Sequence, residues 1–189
     1  MSTETTPAAR PALGLRTLDM TYIALLTVLL VVCTWISIPT AVPFTLQTFA
    51  VFMALGLLGG KRGTLSVLVY LLLGIVGLPV FSGFRGGVGA LLGATGGYLA
   101  GFLLTALLYW AITHFLGERL WVSALAMVLG LAVCYAFGTA WFISVYTQSS
   151  GPMTLATALG MCVIPFVIPD LCKLGLALLL TRRLKPHLK

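Results

Sequence analysis

Apolar runs of helical length follow one another along almost the whole chain, divided by short breaks of proline, glycine and charge. The first covers 20–38 and holds no charged residue. Pro39 and Pro43 interrupt it, because a proline disfavours helix at the residue before it. A second, shorter run covers 45–58. It stops at Gly59-Gly60, with Lys61-Arg62-Gly63 behind it. A third covers 64–78 and ends at Gly77-Leu78-Pro79. Residues 79–93 predict a glycine-rich connection. A fourth run covers 95–115 and a fifth 120–146, followed by an uncharged polar turn at 147–153. The last two runs, 154–164 and 168–184, leave no room for a turn pair between them and predict one broken span. Broken helices at membrane depth line a site, because the freed backbone groups need partners.

This pattern predicts an all-α integral membrane protein with six transmembrane helices. One membrane domain covers 20–184, between a flexible N-terminal tail at 1–19 and a basic tail at 185–189. Composition agrees: 60% of the residues are hydrophobic and 8% charged, where a globular domain has about a quarter charged. The net charge of +7 does not point to nucleic acid, since the basic residues sit at the ends of apolar runs. With six spans, nine of the eleven cations fall on one side: Arg10, Arg16, Lys61, Arg62, Arg119, Arg182, Arg183, Lys185 and Lys189. The positive-inside rule makes that side, and both termini, cytoplasmic. Arg85 is the cation on the outer side, and Lys173 lies inside the last helix. No leader pattern is visible in 1–19.

Asp170 and Lys173 are the charged residues inside an apolar run. Three positions apart, they share a helix face. Pro169 suits the first helical position, which would put Asp170 in the first turn at the positive end of the helix dipole. From Asp170 to Arg182 is about 18 Å along a helix, so Asp170 lies deep in the hydrocarbon if Arg182 marks the surface. The plain reading is a cap neutralised by Lys173. The sharper one is a binding site for a neutral polar ligand head, since charges at that depth are expensive and face a cavity or ligand. Arg85, among glycines, suits either a lipid phosphate or the carboxylate of a ligand arriving from outside. Gln47 and Thr45 offer hydrogen bonds near the start of the second helix. Phe44, Phe81 and Tyr98 adjoin the outer loops and suit a ligand wall.

Several chemistries are absent. Gly59-Gly60-Lys61-Arg62 fails as a phosphate loop, with Leu55 in place of its first glycine and Arg62 in place of Ser or Thr. There is no Ser-His-Asp set and no Cys or His spacing for a metal. The four cysteines (Cys33, Cys134, Cys162 and Cys172) read as buried thiols. Glu118 reads as a minor loop pair with Arg119. The carboxylates are too scattered for lipid-phosphate chemistry.

The stretch Ile38-Pro39-Thr40-Ala41-Val42-Pro43-Phe44-Thr45-Leu46-Gln47-Thr48 resembles a signature of the BioY family, the biotin-specific S-components of energy-coupling factor (ECF) transporters. Three more resemble it in order: Tyr70-Leu71-Leu72-Leu73-Gly74 through Gly77-Leu78-Pro79-Val80-Phe81, Thr95-Gly96-Gly97-Tyr98-Leu99-Ala100-Gly101-Phe102, and Pro169-Asp170 with Lys173. Ala94 departs from an expected proline, and no glycine separates Pro169 from Asp170. The resemblance implies the S-component fold in the bacterial cytoplasmic membrane. It further implies high-affinity capture of biotin from outside, no cofactor, and partnership with a transmembrane coupling protein and two cytoplasmic ATPases. The family's coupling surface uses small residues four apart on the first helix, and here Ala24 is followed by Val28. On this reading Asp170 accepts from the ureido N–H side of biotin and Lys173 donates to the ureido carbonyl. Arg85 takes the carboxylate at the outer mouth. Gln47, Thr45, Tyr98 and Phe81 join them as members of the signature stretches. An autonomous biotin or small-solute transporter, working without ATPases and as a homo-oligomer, is the alternative.

Overall fold

In lipid, a backbone N–H or C=O must find its partner within the protein, so apolar runs of sufficient length become helices. The computed structural model describes residues 16–40 and 42–187. Arg10, Ala41, Lys189 and most of the expected 1–19 tail lie outside the described residues, as does the end of the basic tail. In chain order the elements are α1 (Thr17–Trp35), β1 (Ser37–Ile38), β2 (Phe44–Thr45), α2 (Gln47–Ile75), α3 (Val88–Leu92), α4 (Gly96–Leu116), α5 (Leu120–Ser150), α6 (Leu155–Cys162) and α7 (Ile164–Leu184), closed by a 3-10 turn at Lys185–His187.

Five helical runs among the described residues are long and apolar enough to cross a membrane, against the six spans expected. The difference lies in α2. At Gly59 the backbone takes φ 76° and ψ 179°, a region open essentially to glycine alone, and the chain reverses there. A Cβ on residue 63 would come 2.8 Å from the Leu55 Cα. Gln47 Nε2 lies 2.9 Å from Tyr70 OH although 23 positions separate them, a span of about 35 Å in a straight helix. So α2 is two antiparallel arms, 47–58 and 60–75, and five runs supply six segments of the bundle. The expected loop shrinks to one residue, and Lys61 and Arg62 belong to the second arm.

The ends of the bundle agree with the charge-derived orientation. At one end Arg62 pairs with Asp19 at 3.2 Å and Lys185 with Glu118 at 2.5 Å. Glu118 thus reaches the C-terminal turn rather than its neighbour Arg119. At the other end Trp35 Nε1 donates to the Pro79 carbonyl at 2.9 Å, and Trp141 Nε1 to that of Gly93 at 3.0 Å. Leu25, Val28, Val32, Leu125, Leu129, Leu176 and Leu179 point away from the bundle, as lipid-facing side chains do. Inside, α4 and α5 pack closely. A Cβ at residue 138 would come 2.3 Å from the Tyr98 ring, so Gly138 is what lets that ring lie against α5.

Three boundaries differ from the sequence expectation. The first helix stops at Trp35, and β1 pairs antiparallel with β2, Ser37 opposite Thr45 and Ile38 opposite Phe44. The 79–93 connection contains α3 and a bridge between Phe81 and Arg85. The polar turn after α5 is shorter, because that helix runs on to Ser150.

Candidate binding site

The break in the last span falls at Val163, with φ −123° and ψ −58°. Helix resumes at Ile164 with Pro165 in its first turn, and Pro169 lies inside α7. That corrects the expected start: Asp170 stands in the second turn and is not a cap. Pro169 has no N–H to give to the preceding turn, and Asp170 meets Lys173 on its own helix and two side chains across the bundle. The side chains of Thr48 and Tyr135 donate to its oxygens.

Asp170 is 3% exposed and Lys173 8%. Their ion pair is 2.8 Å from Nζ to Oδ1. Lys173 also donates to the Thr45 carbonyl at 2.6 Å and to Thr48 Oγ1 at 3.2 Å. An ammonium has three N–H groups, so every one is engaged, and Nζ stands 4.2 Å from the centre of the Phe44 ring. Thr48 Oγ1 donates to Asp170 Oδ1 at 2.9 Å, and Tyr135 OH to Oδ2 at 2.6 Å. The carboxylate thus carries two donors on one oxygen and one on the other, which leaves Oδ2 able to accept again. The two charges cancel locally, and every contact but Tyr135 comes from α7 or from the β2–α2 junction.

This group lies at the wall of a cavity of about 770 Å³, mouth included. Asp170, Lys173, Arg85, Gln47, Thr45, Tyr98 and Phe81 all line it, whereas Phe44, also expected in the ligand wall, is not among the lining residues and packs on Phe166, 5.8 Å between ring centres. Their situations differ. Arg85 is exposed, on the 79–93 connection, where its Nε donates to the Ser82 carbonyl at 3.2 Å. Between them, Gly83 and Phe84 both have positive φ, 71° and 56°, the combination of a type I′ turn. Tyr98 OH shares a hydrogen bond with Thr139 Oγ1 at 3.0 Å. Phe81 meets Tyr70 edge-on, 5.6 Å between ring centres. Thr45 serves the cluster through its carbonyl, while its hydroxyl accepts from the Gln47 backbone N–H at 3.2 Å.

Thr48 and Tyr135 were not singled out, yet both hold Asp170. The signal for Thr48 was its place beside Gln47 in the quoted stretch. For Tyr135 it was a polar-headed aromatic in the middle of a span, where a buried hydroxyl needs a partner. Leu99, Phe102, Leu131 and Phe166 supply apolar wall. Cys134 and Cys162 line the cavity as buried thiols, but Cys172 is exposed, contrary to the reading of all four as buried. Among the described residues, no three His, Cys, Asp or Glu side chains gather as a metal-binding group.

The arrangement is a slot lined by a buried, charge-compensated polar cluster, by apolar and aromatic side chains, and by an exposed guanidinium. It suits an elongated ligand with a neutral polar head, an apolar middle and an anionic tail. Comparison with known proteins gives the same direction. The family model described as the BioY family matches residues 3–189. The biotin transporter BioY of Thermotoga maritima is 44% identical over 160 residues, which are 84% of this chain and 90% of that protein. A probable biotin transporter BioY of Pyrococcus horikoshii is 39% identical over 145 residues, covering 76% and 81%. Among solved structures, the crystal structure of the S-component for biotin from an ECF-type ABC transporter superposes with a TM-score of 0.76 at 31% identity, over 89% of this chain and 90% of that one.

Proposed function

The chain belongs to the BioY family, and from that premise we propose that it captures biotin from the outer side of the cytoplasmic membrane and carries it inward as the substrate-binding subunit of an ECF-type transporter. The observation that carries this reading is the slot itself, lined by the buried pair Asp170 and Lys173 and by the exposed Arg85.

Biotin presents two N–H donors and one carbonyl acceptor on its ureido ring. Asp170 Oδ2 has a lone pair left for one N–H. Lys173 serves the ureido carbonyl only by exchanging one of its three present bonds, and the weakest by length is that to Thr48. The exchange keeps the ammonium satisfied throughout, so the ion pair is never stripped of partners, which at this depth would be expensive. The thioether ring and valeryl chain lie along Phe81, Leu99, Phe102 and Leu131. The carboxylate reaches Arg85, whose planar fork matches it.

Energy for uptake comes from partners, a transmembrane coupling protein and two cytoplasmic ATPase subunits. Gly59, Gly60, Lys61 and Arg62 offer no phosphate cradle, because they form the reversal between the arms of α2 and the start of the second arm. Ala24, Leu25, Val28 and Val32 form an outward strip on α1 where a coupling protein can dock. No cofactor is required.

Calorimetry of the purified protein in detergent tests the capture step. Tight biotin binding by the wild type, lost in Asp170→Asn and in Lys173→Met, is expected. A folded wild type that ignores biotin sinks the proposal. Uptake into liposomes with and without the ATPase module then separates the coupled transporter from the autonomous alternative, which would accumulate or equilibrate biotin without any partner.

A further inference from the structure

A row of hydrogen bonds running inward from the cavity wall favours one facing of an amide. Thr34 Oγ1 lies 2.7 Å from the Leu30 carbonyl. A carbonyl only accepts, so the Thr34 hydrogen is committed there. Towards Tyr70 OH, 3.2 Å away, Thr34 is therefore an acceptor. The single Tyr70 hydrogen goes to Thr34 or to the Val80 carbonyl at 3.3 Å, and neither of these can donate back. With the hydrogen used there, Tyr70 turns a lone pair towards Gln47 and keeps a bond on each side. Only the amide nitrogen of Gln47 fits against it, at 2.9 Å. The reverse orientation would draw the single Tyr70 hydrogen to the Gln47 oxygen and away from Thr34 and Val80, so Tyr70 OH would make one bond in place of two.

The Gln47 oxygen is what remains. It accepts no hydrogen bond among the described residues. The fully enclosed polar side-chain atom without a partner among them is Thr181 Oγ1, so Gln47 Oε1 keeps access to the cavity that Gln47 lines. Thr34 and Tyr70 are fully buried, so water does not compete for the relay.

We infer that Tyr70 is a positioning residue for substrate recognition: it holds the Gln47 amide with its oxygen towards the cavity, and that oxygen reads an N–H donor of the ligand. The inference rests on the biotin reading for the identity of the ligand and assigns one ureido N–H to residue 47. The polarity of the contact originates in α1, at the Leu30 carbonyl, and passes through two hydroxyls before it reaches the site. A site arranged this way discriminates strongly against an analogue that lacks the donor, because the amide oxygen is then left unpaired.

The test uses calorimetry in detergent with biotin and with its two derivatives methylated at one ureido nitrogen or the other. It compares the wild type, Tyr70→Phe, Gln47→Met and the double variant. The wild type is expected to reject one methylated derivative far more than Tyr70→Phe does. Tyr70→Phe should bind biotin roughly five- to tenfold more weakly, the equivalent of one net hydrogen bond. The double variant should bind no more weakly than Gln47→Met alone, because Tyr70 acts through Gln47. A purely structural Tyr70 would instead give additive losses and unchanged discrimination, and either result overturns the inference. Should Tyr70→Phe fail to fold, Gln47→Met carries the test alone. It is expected to bind biotin and the disfavoured derivative equally, and retained discrimination overturns the assignment. A wild type that does not bind biotin sinks the proposed function and this inference together. A binding wild type beside an unchanged Tyr70→Phe sinks only the inference.

Discussion

The protein contains two short ion pairs whose lengths rank them the wrong way round. Lys185 and Glu118 approach to 2.5 Å at the cytoplasmic end, with side chains 39% and 42% exposed; Lys173 and Asp170 stand 2.8 Å apart, with side chains 10% and 4% exposed. The shorter pair is bathed by solvent and salt, where such contacts contribute about 0–1 kcal/mol. The longer pair is held where screening is weak and water cannot replace a missing partner. It survives there because Thr45, Thr48 and Tyr135 complete its hydrogen bonding. Distance describes how two charges meet, whereas the surroundings decide what removing one of them does.

That contrast is easiest to break at its buried end. Lys173→Met leaves the Asp170 carboxylate buried without its cation and should destabilise the protein by about 3–5 kcal/mol while abolishing biotin binding; thermal unfolding in detergent and an isotherm measure the two effects. Adding Asp170→Leu to it should restore most of the melting temperature and none of the binding. A double variant as unstable as the single would show that the pair contributes more than its mutual compensation.

Removing one supporting donor should have an intermediate effect. Tyr135→Phe and Thr48→Val each cost the carboxylate one hydrogen bond, worth about 1.5–3 kcal/mol for a charged acceptor. Weaker biotin binding at a modestly lowered melting point is expected for each, and unchanged unfolding would show that water takes the vacated place. At the cytoplasmic end the sensitive point is backbone rather than charge. Gly59→Ala forces a side chain into a glycine-only conformation, at about 1–3 kcal/mol, and places a methyl 2.3 Å from Glu118 Oε1. Circular dichroism melts should register that loss with biotin affinity retained. The smallest change belongs to Lys185→Met, below about 1 kcal/mol and vanishing as salt is raised; a larger, salt-insensitive loss would place that pair with the buried one.

Much of this was legible from residue order. The solvent is hydrocarbon, so long apolar runs with breakers between them could only be helices, and the clustering of cations at alternate breaks gave the orientation. Asp170 and Lys173 stood out because a charge within such a run demands a reason. The misreadings share a cause. Proline's preference for the first helical turn points to Pro169, but Pro165 occupies that turn and the later proline is tolerated inside. Five long runs stand where six were expected because one glycine at 59 reverses α2 without any loop residues, and glycine in a sequence does not announce its φ. Thr48 and Tyr135 were passed over because a hydroxyl in an apolar run is ordinary until its partner is known.

By itself, then, the order of residues determined the membrane class, the number of bundle segments and the identity of the buried ion pair. All of these depend on local hydrophobicity and on charge, which are properties of neighbours in the chain. Only the tertiary structure decided how the pair is satisfied, since Lys173 meets Thr45 across 128 positions and Asp170 meets Thr48 across 122. It also decided that Thr45 contributes a carbonyl and that a tyrosine on α5 completes the carboxylate. The hydroxyls that meet the Gln47 amide also come from afar, Tyr70 from the second arm of α2 and Thr34 behind it from α1. Hydrogen bonds are directional and pairwise, and the partner of each group is chosen by where the folded chain brings the others.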